Sequence, residues 1–65
     1  MDLFTISQLN VLENQCDELQ KLIDHARAAF PDNGEWQYAM DLQQTALDEE
    51  RKRVMDAKAL FISSN

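Results

Sequence analysis

Residues 9–30 read LNVLENQCDELQKLIDHARAAF, and within them Leu9, Leu12, Cys16, Leu19, Ile23, Ala26 and Phe30 recur at alternating steps of three and four. That spacing is the a/d pattern of a heptad helix, held over three repeats. An apolar stripe of this kind leaves water only by packing on another helix. A second, less regular row follows: Trp36, Met40, Gln43, Leu47, Glu50, Val54, Ala57 and Phe61. Between the rows stands Pro31-Asp32-Asn33-Gly34, which holds the chain's single proline and single glycine. The pattern predicts an all-α fold in one domain over residues 1–65. One helix covers about 5–29, a turn 30–34 and a second helix about 33–62, closing as an antiparallel hairpin.

Local signals place the ends. Thr5 and Gln8 have capping-box spacing, and Phe4 and Leu9 stand where a hydrophobic staple would form, so Thr5 reads as the N-cap of the first helix. Pro31 disfavours the α region for Phe30, which sets the end near Ala29. Asp32 and Glu35 read as the start of the second helix, with acid where the helix dipole favours it. Ser63-Ser64-Asn65 are expected to fray. Folding about Asn33 sets Phe30 against Trp36, Ala26 against Met40, Leu19 against Leu47, Leu12 against Val54 and Leu9 against Ala57, so that large residues meet small ones.

A hairpin hides one stripe per helix, and this chain has more apolar residues than that. Ile6, Val11 and Leu22 lie off the first row; Tyr38, Leu42, Met55, Leu60 and Ile62 lie off the second. Leu22, Ala29, Ala39, Ala46 and Leu60 sit at g positions, widening the stripe on one side. The surplus predicts that two hairpins dimerise into a four-helix bundle. The expected dimer and core residues are Leu9, Leu12, Cys16, Leu19, Ile23, Phe30, Trp36, Met40, Leu47, Val54 and Phe61. Size points the same way, because a 65-residue monomer has a marginal core and commonly needs a disulfide, a metal or a partner chain.

The first two aids find little support in the residues. Cys16 is the only cysteine, so no internal disulfide can form. At a seam position it reads as a small hydrophobe, the alternative being a reactive thiol. His25 is the only histidine and has no second His or Cys at ligand spacing. No stretch matches a calcium loop, and one glycine allows no phosphate-binding loop, so no metal or cofactor is expected. No Ser or Cys has a His/Asp partner at suggestive spacing, and enzymatic activity is not expected. Ala57–Ile62, broken by Lys58, is far short of a membrane span, and Met1-Asp2-Leu3-Phe4 lacks the basic start of a signal peptide. A cytoplasmic protein with no membrane contact is the expectation, with the lone cysteine in a reducing compartment.

Gln43 and Glu50 are polar at seam positions. Either the seam rotates and they reach water at its edge, or they are buried and fix register, or Glu50 is an active-site carboxylate. A buried Glu50 would need Arg51 or Arg53 within reach. Asp48-Glu49-Glu50 precede Arg51-Lys52-Arg53, so Asp48–Lys52 and Glu49–Arg53 have the favourable acid-first spacing of a solvated, salt-bridged face.

The net charge is −6, with −3 in residues 1–30 and −3 in residues 31–65, so a dimer would carry −12. Such a surface repels phosphate backbones and favours a protein partner with a basic surface. Asp17, Glu18, Asp24, Asp41, Asp48 and Glu49 form the candidate partner-binding acidic surface. The expectation is a small acidic homodimeric module that regulates or inhibits another protein by binding it. A structural coiled-coil assembly subunit is an alternative.

In length, acidity and paired seams about an Asp/Gly-bearing turn, the chain resembles the Rop family of small plasmid RNA-binding proteins, which are dimers of helical hairpins. The resemblance implies RNA binding through the exposed face of the first helix, here Asn10, Asn14, Lys21 and His25. Compact acidic helical chains also look like the accessory proteins of phages and mobile elements.

Overall fold

The computed structural model describes residues 3–63, with side chains described over 5–61. Two helices make up the fold: α1 from Leu3–Ala29 and α2 from Gly34–Ser63. They pack side by side in opposite directions, and the chain is an all-α helical hairpin. Among the described residues there is no strand, and no helix is long and apolar enough to cross a membrane.

The turn between the helices is closely built. The Asn33 amide donates to the Phe30 carbonyl at 3.2 Å, with Pro31 in the second position of the turn. No non-glycine residue among those described has a positive φ, so this is a turn of the type I kind. Asn33 is then the N-cap of α2. Its side-chain oxygen accepts the Trp36 amide at 3.0 Å, and its carbonyl accepts the Gln37 amide at 2.9 Å. The cap is therefore Asn33 rather than Asp32, because the turn spends Pro31 and Asp32 on reversing the chain.

The first turn of α2 also closes the end of α1. A helix leaves its last four carbonyls without an internal partner. Here the Trp36 indole N–H donates to the Ala26 carbonyl at 2.6 Å, and Gln37 Nε2 donates to the Arg27 and Phe30 carbonyls at 3.0 Å each. Phe30 meets Trp36 edge to face, with ring centroids 5.2 Å apart. That pairing is the one expected from folding the chain about Asn33.

At the other end α1 begins at Leu3, two residues before Thr5, so Thr5 lies inside the first turn and does not cap it. The chain between Leu3 and Thr5 has no Pro or Gly to stop the helix. The staple expected of Phe4, and the fraying expected of residues 64–65, fall outside the described side chains and residues. Ser63 itself closes α2.

The enclosed core is narrow. Leu9, Cys16, Leu47 and Val54 are buried, and Ile23, Met40 and Phe61 are half-buried. In each helix these positions recur every seven residues, so a single a-type row per helix faces the other. The alternate row of the expected seam lies at the edge: Leu12 and Leu19 stand exposed, Leu19 at 49%, while Ala26, Trp36 and Ala57 are half-buried. Phe30, which continues the first row past the end of α1, is exposed as well. The reason is geometric: two cylinders touch along a line, and the residues beside that line fall to one side or the other.

Candidate functional site

The two sides of the contact line differ in chemistry. On one side the flanking positions are Glu13, Gln20 and Arg27 of α1, and Gln37, Gln44, Arg51 and Lys58 of α2, each set spaced by seven. They form a ladder of polar links between the helices. Lys58 Nζ is paired with the Glu13 carboxylate. Arg51 donates to Asp17 Oδ1 at 2.8 Å and to the Cys16 carbonyl at 3.4 Å. Gln20 and Gln44 exchange amide hydrogen bonds at 2.7 Å in both directions. Arg27 donates to Gln37 Oε1 at 3.3 Å and is paired with Asp41 at 2.8 Å.

Four aspartates border this ladder. Asp24 accepts from Gln20 at 3.0 Å and Asp48 from Gln44 at 2.9 Å. The order Asp24–Gln20–Gln44–Asp48 therefore runs as one hydrogen-bonded string across both helices. Asp17 and Asp41 are held by Arg51 and Arg27. The structure thus brings four of the six expected acidic residues onto one face. Glu18 is paired instead with Lys21 on α1 at 3.2 Å, and Glu49 stands exposed off the ladder. The Asp17 hydrogen bond and charge raise the pKa of Arg51 above its ordinary value.

The pairs expected within α2 are rearranged. Asp48 is bonded to Gln44 and not to Lys52, and Arg53 pairs with Glu50 at 3.1 Å and not with Glu49. Contact across the hairpin has taken Arg51 from its own helix. Among the described residues, five of the six basic side chains are in ion pairs.

On the opposite side of the contact line the surface is apolar. Leu19, Leu22 and Ala26 of α1 and Met40, Ala46 and Leu47 of α2 line a groove of about 310 Å³, with Gln43 and Glu50 on its α2 wall. Gln43 and Glu50 are exposed, because the seam rotates as the contact line passes them, and Arg53 reaches Glu50. Arg51, the next residue, turns to the other side and donates to the Cys16 carbonyl.

Sequence reasoning missed the ladder. Its signal is present as polar residues at seven-residue intervals, four places after the buried residues of each helix. A search for apolar spacing alone passes over it. Among the described residues no three His, Cys, Asp or Glu groups converge to hold a metal ion, and no buried side-chain polar atom lacks a hydrogen bond. Cys16 is only 2% exposed and His25 is exposed. Comparison with protein-family models, curated proteins and solved structures returns no match to this chain.

Proposed function

We propose that this chain is a small acidic homodimeric interaction module, a regulatory or inhibitory accessory protein of the phage or mobile-element type that acts by binding another protein in the cytoplasm. The observation that carries this reading is the gathering of Asp17, Asp24, Asp41 and Asp48 along one face. Asp24 and Asp48 are exposed and held by the neutral Gln20 and Gln44, while Asp17 and Asp41 are paired with Arg51 and Arg27. Fixed acids on a rigid helical frame suit a basic protein surface, since little side-chain freedom is lost when the two meet. The role needs no catalytic group, cofactor or membrane. Nucleic acid is a poor partner, because the chain carries a net charge of −6 and five of its six basic side chains are paired with its own carboxylates.

Affinity capture with the full chain, followed by binding measurements on the captured protein, tests this. Asp24→Asn with Asp48→Asn removes two charges while keeping both side-chain shapes. The expected result is a loss of roughly tenfold in affinity and a weaker salt dependence. An unchanged affinity for the double variant, or complex formation with RNA at low salt but with no protein, would remove the proposal.

A further inference from the structure

The apolar groove points to its own occupant. The Cα trace measures 49 × 15 × 10 Å, a slab one helix thick, and its radius of gyration is 15.1 Å. A compact chain of this length would have a radius of about 11 Å. Helices bury their apolar stripes in two or more layers, and here there is one. The accessible surface is 5021 Å², against about 4,250 Å² for a folded monomer of 7.5 kDa. The difference, about 770 Å², is close to the ~800 Å² that each partner contributes to a stable protein interface.

We infer that a second copy of this chain covers the groove, with α1 of each copy over α2 of the other, so that both turns lie at the same end of the bundle. The inference rests on the homodimeric reading above and adds the surface and the arrangement. Three properties of the face select this occupant. The one charged residue that lines the groove, Glu50, is paired with Arg53, so the groove carries no net charge and two copies of net charge −6 can meet there. Like charges would oppose contact through the ladder face, where the aspartates gather. The middle of the groove is also lopsided: α1 presents large Leu19 and Leu22 there, whereas α2 presents small Ala46.

That asymmetry sets the arrangement. Leu19 and Ala46 stand at one level of the hairpin, both lining the groove, next to the Gln20–Gln44 link. A two-fold axis parallel to the helices keeps levels unchanged and carries α1 onto the partner's α2. Leucine then enters the space over alanine at the same height, as interdigitated layers require. A two-fold axis across the helices at this level would set Leu19 against Leu19 and leave Ala46 facing Ala46, with a void between.

Two measurements on the full chain test this. The mass in solution should be twice 7.5 kDa. Ala46→Glu, a change at an exposed helical site, should reduce it to that of one chain, while the matched Ala59→Glu on the exposed outer face of α2 should leave the dimer intact. Independently, a Cys16→Ala, Asp32→Cys chain carrying a spin label at the turn reports the arrangement without disturbing the groove. The two labels should lie well within half of the 49 Å length. A separation near the full length overturns the arrangement while the dimer stands, and a dimer that survives Ala46→Glu overturns the surface while the dimer stands. A wild-type chain that stays monomeric overturns both the inference and the homodimeric reading.

Discussion

Asn33 and Gly34 are neighbours with opposite roles in stability. The Asn33 side chain satisfies one of the free amides at the start of α2, so Asn33→Ala should cost about 1 kcal/mol. Gly34 occupies the first helical position, has no positive φ, and has nothing within 4 Å of where a Cβ would stand. Glycine there is a cost in chain entropy without a conformational need, and Gly34→Ala should stabilise by roughly 0.4–1 kcal/mol. Urea unfolding of the two single variants should move the midpoint in opposite directions. At the same scale, the cap shows how far sequence signals reach. Asp32 and Asn33 are both good caps by type, and only the geometry of the Pro31 turn selects between them. Cys16 was legible as a packed thiol, because a small hydrophobe at a seam position has one obvious place to go.

At the scale of the elements, the helices are held by one apolar row each and by a polar ladder on one side. Glu13 and Lys58 join the helices far from the turn, with side chains 37% and 28% exposed. A pair this open to water contributes modestly, and a double-mutant cycle with Glu13→Gln and Lys58→Met should give a coupling of about 0.5–1 kcal/mol. The coupling should shrink as salt is raised from low to molar concentration. A value that does not respond to salt would show that the link acts through packing of the long side chains instead. Helix existence, direction and the break at Phe30 were readable from period and proline. The choice of flank was not, because Leu12, Leu19 and Ala26 keep the same spacing as Glu13, Gln20 and Arg27. Both sets adjoin the core row, and the alternation of three and four fits either.

The whole molecule is a slab with one side finished and one side open. The ladder side satisfies its polar groups and carries the fixed aspartates; the groove side leaves Leu19 and Leu22 largely in water, Leu22 at 65%. Isolated helical pairs of this size are marginal, since the four enclosed side chains among the described residues do little against the entropy of ordering two long helices. Folding should therefore be coupled to association, and the midpoint of thermal unfolding should rise with chain concentration. Circular dichroism melts over a hundredfold range of concentration check this: a constant midpoint would mean that the hairpin is stable alone.

The sequence by itself determined that this chain is two helices joined at Pro31–Asn33 and packed antiparallel, because period, turn chemistry and the single proline are local and leave no other reading. It also showed that one hairpin has more apolar surface than it can hide. Only the tertiary structure decided which residues flank the contact line on each side. A heptad row defines a stripe, but the angle at which that stripe meets its neighbour depends on the other helix. That angle sent Leu12 and Leu19 to the open groove, moved Gln43 and Glu50 to water, and drew Asp17, Asp24, Asp41 and Asp48 onto a single face.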